Sequence, residues 1–248
     1  MGYIQHLAEL TFPEAEKALK GSTALWPIGA IEAHGPHLPL ATDAIISEEI
    51  ARRAAERLST GKVTVVILPT LAVTPAKFAS AFAGTLSLSE GTAAAVVCDV
   101  AKSLDRHGVA KLVLVNCHFD PANLKALHAA AEALASGVKL KVIFPDVTQK
   151  PWASRLPMEF KRGGAHAGSF ETSMVMAARP KAVRESERIG LVKVEVDLGA
   201  RIREGARTFE DVGASFAYMG DPAVATADEG NVCLDLMRDI VVEATTAT

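Results

Sequence analysis

Four consecutive apolar residues, Leu-Val-Leu-Val at positions 112–115, constrain the fold of this chain more than any other feature. A strand with one face in water alternates apolar and polar residues, whereas a strand covered on both faces of a parallel sheet is apolar throughout. Other apolar runs alternate along the chain with Ala-rich segments whose apolar residues recur at helical spacing. This alternation predicts an α/β fold, with helices layered on a sheet and right-handed crossovers.

The same patterns give the predicted elements. Strands are predicted at residues 23–31, 63–69, 111–116 and 139–144, and helices at residues 43–58, 88–107, 120–135, 169–178 and 228–244. The chain has no long Ser/Gly-rich linker, low-complexity tract or internal repeat, so we expect a single domain over residues 1–248. Residues 192–227 are less regular, and both loops and an oligomer contact are compatible with them.

The charge balance and the hydropathy argue against several classes of partner. The 26 basic and 29 acidic residues are well mixed and give a net charge of −3, without the basic stripe that binds nucleic acid. No uncharged apolar run approaches the ~18–20 residues of a membrane span, and the N-terminus lacks the apolar core of a signal peptide. Three widely spaced cysteines suit a reducing compartment. We therefore expect a cytoplasmic protein without nucleic-acid or membrane partners.

Glu32 and His34 directly follow an apolar run that is predicted to be a strand. Side chains of a strand alternate between its two faces, so an acid-x-His pair would share one face at a separation of roughly 6–7 Å. Each residue would then bind one of two metal ions about 3.5–4 Å apart, and Asp43 is the candidate carboxylate between them. The alternative is a polar strand end without a metal, with Asp43 as a helix N-cap.

Two further clusters combine a histidine with a carboxylate where an apolar run stops or glycines gather: His118 with Asp120, and His166 with Glu171. Sites in open α/β sheets form at the carboxyl ends of the strands, so the three clusters are predicted to converge there. Taken singly, Asp120 also suits a helix N-cap and Glu171 a first-turn carboxylate. The conjunction of three such junctions favours a metal site, and mixed histidine and carboxylate ligands suit Zn²⁺ or Mn²⁺.

Four segments carry a resemblance to a known family. Residues 26–43, Trp-Pro-Ile-Gly-Ala-Ile-Glu-Ala-His-Gly-Pro-His-Leu-Pro-Leu-Ala-Thr-Asp, closely resemble the N-terminal signature of the creatininase (creatinine amidohydrolase) family. Residues 116–118 are similar to its Asn-Gly-His motif, residues 166–173 to its His-Ala-Gly and Glu-Thr-Ser motif, and residues 84–86 to its Gly-Thr-Leu segment. The resemblance runs from about residue 20 to about residue 180.

The resemblance implies a three-layer α/β sandwich with a mostly parallel central sheet, in a cytoplasmic homohexamer that acts on a small-molecule substrate. It also implies two divalent metal ions per subunit, with Zn²⁺ or Mn²⁺ favoured over Fe²⁺. The ligands that it implies are Glu32 and His118 for one metal, His34 for the other, Asp43 as the bridge, and Asp120 or Glu171 for the last position. Relatives differ in which of these two carboxylates they use, and this chain has both.

His166 matches the catalytic histidine of the family, and Glu171 beside it is a second catalytic candidate. The chain also departs from the family pattern: Cys117 replaces the glycine of Asn-Gly-His, and the tryptophan that creatininase carries shortly before its catalytic histidine is missing. These departures indicate a substrate other than creatinine.

Four residues are candidates for contact with that substrate. Phe119 adjoins the second cluster, and Trp152 is similar to a tryptophan that covers the substrate in the family. Lys77 and Arg162 would bind a carboxylate or phosphate, although exposed solubilising charges are the simpler interpretation of both.

The favoured hypothesis is hydrolysis of an amide by a metal-bridging hydroxide, with His166 as the general acid for the departing nitrogen. A lactam, an N-formyl amide or an N-acyl amide of a small polar molecule, rather than a peptide bond, would suit it. One alternative keeps the metals but cleaves a carbon–carbon bond beside a ketone in a cyclic polyol-derived substrate. Another is a metal-binding subunit without catalytic activity.

Overall fold

Five parallel strands form the centre of the structure, a computed structural model that describes residues 3–60, 63–163 and 166–247. The strands are β1 (Ile4–His6), β2 (Thr23–Ile28), β3 (Val65–Ile67), β4 (Lys111–Asn116) and β5 (Lys141–Ile143), in the order β1-β3-β2-β4-β5. Each neighbouring pair is parallel, and the longest pairing, between β2 and β4, is six residues long.

Helices cover both faces of this sheet. They are α1 (Phe12–Leu19), α2 (Thr42–Leu58), α3 (Glu90–Arg106), α4 (Pro121–Leu134), α5 (Met158–Lys161), α6 (Ser169–Ala178), α7 (Glu185–Arg188), α8 (Leu198–Arg203) and α9 (Ala227–Thr246). One face packs against α2, α6 and α9, and the other against α1, α3 and α4. The predicted three-layer α/β sandwich with a mostly parallel sheet is therefore confirmed. Among the described helices, none has the length and apolarity to cross a membrane.

Strand β4 shows why the run at positions 112–115 is apolar throughout. Leu112 and Leu114 pack into the core against α3 and α4, whereas Val113 and Val115 pack into the core beneath α2, α6 and α9. All four side chains are buried, so neither face tolerates a polar residue. Truncation of Leu114 to alanine would destabilise the fold by about 2–5 kcal/mol.

Strand β2 ends earlier than the sequence predicts, at Ile28 instead of residue 31. The chain then passes so close to the start of α2 that a Cβ atom on Gly29 would lie 2.5 Å from the backbone nitrogen of Ala44. This close approach moves the chain out of the sheet, so Glu32 and His34 lie in the following loop and not on a strand face. The period-two argument for their separation is therefore wrong.

Two N-terminal elements were not predicted. Strand β1 is a short, partly exposed edge strand without an apolar run to reveal it. Helix α1 begins with a capping box, in which the side chain and backbone nitrogen of Thr11 both bond to the Glu14 carboxylate. That Thr-x-x-Glu pattern was a readable start signal.

Residues 192–220, the cap, make up most of the segment whose conformation the sequence left open. Val194 and Gly220 pair across the base of the cap by two backbone hydrogen bonds. Between them, α8 and Phe209 fold against Phe78 and form a third, smaller apolar cluster separate from the two sheet cores. The cap therefore packs onto the edge of the sheet where the strands end.

Candidate metal centre

Five metal-ligand-type side chains converge at the carboxyl ends of β2 and β4. Each is at most 2% exposed, and together they form the ligand cluster: Glu32, His34, Asp43, His118 and Glu171. The loop after β2, the first turn of α2, the end of β4 and the first turn of α6 each contribute to it. Four separate elements thus place nitrogen and oxygen donors in one buried volume, as the sequence predicted from the strand ends.

Asp43 lies at the centre of the ligand cluster. Its Oδ1 is 3.0 Å from Nε2 of His34, and its Oδ2 is 2.9 Å from Nδ1 of His118. Glu32 Oε1 lies 3.2 Å from the same His118 nitrogen, and Glu171 Oε2 lies 3.6 Å from the same His34 nitrogen. Asp43 therefore belongs to two groups of three ligands, one with Glu32 and His118 and one with His34 and Glu171.

Backbone carbonyls fix how the two cluster histidines face the carboxylates. Nδ1 of His34 bonds to the carbonyl of Glu32 at 3.1 Å, and Nε2 of His118 bonds to the carbonyl of Pro75 at 2.7 Å. A carbonyl only accepts, so these two nitrogens carry the hydrogen, and in a neutral ring the nitrogen facing the carboxylates bears a lone pair. This orientation by outer carbonyls is the usual arrangement for histidines that bind metals.

The unpaired atoms of the ligand cluster fit a cation. Nε2 of His34 and Oδ2 of Asp43 are buried without a hydrogen bond. Lone pairs facing carboxylate oxygens at about 3 Å repel each other unless a proton or a metal ion lies between them. An imidazole and carboxylate donor set suits Zn²⁺ or Mn²⁺. The residues present therefore fit a divalent metal.

The pKa values show the same demand for positive charge. Burial alone would lower the pKa of His34, but the carboxylates of Asp43, Glu171 and Glu32 outweigh it and raise that pKa to about 10. For Asp43 burial opposes ionisation, yet the neighbouring histidines hold its pKa below the usual value. Burial raises the pKa of Glu171. Without a metal, bound protons supply the positive charge that the carboxylates of the cluster attract. A metal ion would displace these protons.

His166 stands beside the ligand cluster. Its Nε2 donates to the carbonyl of Ala33 at 2.9 Å, which leaves Nδ1 facing Glu32 Oε1 at 3.8 Å. The ring lies between those of His34 and Phe209, with centroid distances of 4.4 and 4.3 Å. Burial and the charge of His34 hold the pKa of His166 well below 6.5. A neutral ring with a free Nδ1 can accept a proton.

The turn after His166 is strained. Ala167 has φ 53°, in the left-handed region that a residue with a side chain rarely adopts. Its N–H donates to Glu171 Oε2 at 2.7 Å, so the turn is tied to a carboxylate of the ligand cluster. Strain of this kind persists where the surroundings over-determine the backbone, as they do at functional sites.

Asp120 lies outside the three metal-type groups that the described residues form. Its Oδ1 accepts the N–H of Ala122 at 2.7 Å as the N-cap of α4, and its Oδ2 accepts the N–H of Phe78 at 3.0 Å. The N-cap alternative therefore describes this side chain. Asp43 differs, because it is the second residue of α2 and the N-cap position is Ala41.

A cavity adjoins the ligand cluster, and of the four substrate candidates only Phe119 lines it. Lys77 is exposed and pairs with Glu90 at 2.8 Å, while Arg162 lines a separate surface depression. Trp152 packs against the core beneath α2, α6 and α9. The structure does not bring these three side chains to the cavity.

Sequence reasoning missed most of the cavity's apolar side. Five side chains form this side, the cavity wall: Phe78, Phe119, Leu198, Ile202 and Phe209. Leu198 and Ile202 are four residues apart, so one helical turn places them on the same face of α8. That spacing was the one available signal, and it is weak in a helix of six residues.

Comparisons with known proteins identify the family that the chain resembles. The family model described as creatinine amidohydrolase (creatininase) matches residues 8–245. The mycofactocin precursor peptide peptidase of Mycobacterium tuberculosis (strain CDC 1551 / Oshkosh) is 30% identical over 220 residues, which cover 86% of this chain and 80% of that protein. The creatinine amidohydrolase of Pseudomonas putida is 29% identical over 194 residues, which cover 71% of this chain and 73% of that protein.

Solved structures share the fold. A creatinine amidohydrolase (creatininase) matches with a TM-score of 0.75 at 23% identity and covers 98% of this chain and 96% of that chain. A creatininase described as a Mn form matches with a TM-score of 0.72 at 21% identity, and a mutant described as Zn-Zn type with 0.70 at 22%. Each of these two covers 98% of this chain and 97% of the other chain.

Proposed function

The chain belongs to the creatinine amidohydrolase (creatininase) family, and from this premise we propose that it is a metal-dependent hydrolase of an amide C–N bond. The observation that supports the proposal most is the position of Asp43. Its two oxygens face two different histidines, and each histidine has a further carboxylate of its own. A carboxylate that belongs to two three-ligand groups could serve as a ligand of two divalent ions at once.

Two divalent ions per subunit, Zn²⁺ or Mn²⁺, are proposed as the cofactor. Glu32, His118 and Asp43 would hold one ion, and His34, Glu171 and Asp43 would hold the other. Glu171 is preferred to Asp120 for the last position because both oxygens of Asp120 already accept backbone N–H groups. Creatininases of this fold described as Mn and Zn-Zn forms agree with this choice of metals.

When bound, such ions would lower the pKa of a shared water toward ~7 and polarise the scissile carbonyl. The chain's own residues would then manage the proton. Nδ1 of His166 accepts it, while the bond from Nε2 to the Ala33 carbonyl keeps the ring in place. The same nitrogen then delivers the proton to the departing amine, a role worth typically ~10²–10⁴-fold. Burial lowers the pKa of His166, which suits this step because the ring must be neutral to accept the proton.

The proposal covers peptide and non-peptide amides alike. The sequence favoured a non-peptide bond, but relatives named as peptide peptidases match this chain at 28–30% identity, as closely as the creatinine amidohydrolase at 29%. Both kinds of substrate present a carbonyl carbon bonded to nitrogen. A single domain, a cytoplasmic location and a homohexamer stay predictions from the sequence and the resemblance.

The test compares Asp43→Asn with Asp146→Asn. Asp146 is also buried, but it bonds to His128 and Thr148 away from the ligand cluster. After growth with zinc and manganese, the unmodified protein and Asp146→Asn should each carry two metal ions. Elemental mass spectrometry measures this metal content. Asp43→Asn should lose both ions and the release of amine from amide substrates.

Two results would contradict the proposal. One is a protein that binds no metal under these conditions. The other is an Asp43→Asn variant that keeps both ions and full amidase activity. A ring-opened acid formed without amine would instead support cleavage of a carbon–carbon bond.

A further inference from the structure

The cavity beside the ligand cluster has two chemically different sides. Its polar lining consists of His166, Asp120 and four members of the ligand cluster, Glu32, Asp43, His118 and Glu171, and its apolar lining of the cavity wall with Pro121. The wall draws on three parts of the chain that are distant in sequence: the loop at Phe78, the end of β4 at Phe119, and the cap. A pocket that meets the reacting groups with an apolar surface is the usual form of a small-molecule site.

Helix α8 is built to present apolar side chains to the cavity. Leu198 and Ile202 line it, whereas Arg201 and Arg203 are exposed. Asp197 fixes where the helix begins, because its Oδ1 accepts the N–H of Ala200 at 2.8 Å. An amphipathic helix of this kind places its apolar stripe against the interior.

Two hydrogen bonds hold the rest of the wall, and a ring contact joins it to His166. Asp120 accepts the N–H of Phe78 at 3.0 Å, and Phe78 in turn accepts the N–H of Phe209 through its carbonyl at 3.0 Å. The Phe209 ring then lies against His166. The wall is therefore preformed, and it contacts the histidine that is proposed to move the proton.

Charge is nearly absent from this side of the cavity. No lysine or arginine lines it in the part of the chain that the structure describes. Among the described residues, Asp120 is the one charged lining residue outside the ligand cluster and His166, and both of its oxygens accept backbone N–H groups. An anionic substituent would find no cation there, and any charged group would lose hydration against the wall.

We propose that the cavity wall selects an amide whose substituent next to the scissile bond is uncharged and apolar, either aliphatic or aromatic. This inference rests on the proposed function, since it concerns the same site. It replaces the expectation of a substrate carboxylate or phosphate held by Lys77 or Arg162.

Hydroxamates test this inference without catalysis, because the hydroxamate group binds an active-site metal whatever substituent it carries. Two probe series are needed, one with the substituent on the carbonyl and one with it on the nitrogen. Methyl, isobutyl, benzyl, carboxymethyl and aminobutyl substituents would be compared by calorimetry on the metal-loaded protein. In at least one series, isobutyl or benzyl should bind at least ~10-fold more tightly than methyl. The carboxymethyl and aminobutyl probes should bind no more tightly than the methyl probe.

Ile202→Ser and Ile189→Ser are matched variants for the same measurement. Ile202 lines the cavity, whereas Ile189 is 64% exposed at the end of α7. Ile202→Ser should lose most of the isobutyl and benzyl gain and keep its affinity for the methyl probe. Ile189→Ser should match the unmodified protein. Leu198→Asn provides a second wall variant if Ile202→Ser does not fold.

The outcomes separate this inference from the proposed function. Equal affinity for apolar and charged substituents in both series, on a protein that carries metal, would overturn the inference and leave the proposed function standing. Retention of the full apolar gain in both wall variants would also overturn the inference alone. A protein that binds neither metal nor any hydroxamate would overturn the proposed function and the inference with it.

Discussion

The ligand cluster and the cap both contribute to the lining of one cavity, and they are built in different ways. The cluster is polar, almost fully buried, and anchored on β2, β4, α2 and α6. In the part of the chain that the structure describes, the cap consists of the short helix α8 and loops. It packs through the third apolar cluster and through Tyr218, which belongs to the core beneath α2, α6 and α9. The difference indicates a division of labour. We expect the layers of the fold to hold the groups that react, and the less regular segment to select the substrate that reaches them.

The largest expected effect distinguishes Glu171 from Asp120, the two carboxylates that the sequence offered for the last metal position. Glu171→Gln should remove a metal ligand and with it several kcal/mol of transition-state stabilisation, so kcat/KM should fall roughly 10³-fold or more. Asp120→Asn should keep both metal ions and lose one bond to a backbone N–H, at a stability cost of about 1–3 kcal/mol. Metal content, kinetics and thermal melting check both variants. Loss of a metal ion in Asp120→Asn, with both ions retained in Glu171→Gln, would reverse the assignment.

His166→Ala should lower kcat by at least ~10²-fold, because the proton would lose its relay. Both metal ions should stay bound, since His166 belongs to neither of the two groups that share Asp43. Steady-state kinetics and metal analysis of one preparation check this. His128→Ala, at a half-exposed histidine paired with Asp146, is the control and should leave kcat unchanged. A His166→Ala variant with normal kcat would exclude a role in proton transfer.

Acidic pH should weaken the packing between α6 and the cap. His37 bonds to Thr172 in α6 and packs edge-on against Tyr218 in the cap. Burial, with the charges of His34 and Arg188, lowers its pKa to about 4. The folded pKa lies below the unfolded value, so the unfolded chain binds this proton more readily. The free energy of unfolding is therefore highest above about pH 6.5. It should fall by on the order of 3 kcal/mol as the pH falls toward 4.

Denaturant unfolding at several pH values measures this loss. His37→Gln should flatten the dependence between pH 6.5 and 4, and His128→Gln should leave it unchanged. An equally steep dependence in His37→Gln would assign the loss to other groups.

The smallest expected effect is dynamic. Backbone amides of α8 should exchange hydrogen faster than those of β4, because the cap has a small core while β4 is buried on both faces. Hydrogen exchange followed by mass spectrometry checks this order. An apolar hydroxamate should slow exchange in α8 more than acetohydroxamate does. Equal protection of α8 and β4 in the unliganded protein would remove the contrast between the two regions.

Local pattern predicted most of the layered fold. The all-apolar run of β4 indicated burial on both faces, and its side chains divide between the two cores. Helix α6 was predicted over residues 169–178 and has those bounds. Short or partly exposed elements were not predicted, because β1 and α8 are too short to show a clear periodic pattern.

The candidate site also has a part that the sequence predicted and a part that it did not. Motif spacing selected all five side chains of the ligand cluster and His166. It could not choose between Asp120 and Glu171, because the choice depends on the N–H of Phe78, 42 residues away, which donates to Asp120. Nor could it locate Glu32 and His34, since the chain leaves the sheet at Ile28 to pass close to α2.

The sequence by itself determined the layers, the family and the donor types, because each of these follows from residues close together in the chain. The tertiary structure alone decided which oxygens stay free for a metal, and that α8 and Phe209 form one side of the cavity. These features depend on contacts between segments far apart in sequence, and no local pattern encodes them. The Glu-x-His motif thus indicates the reaction, and the folding of the cap over it determines the proposed substrate.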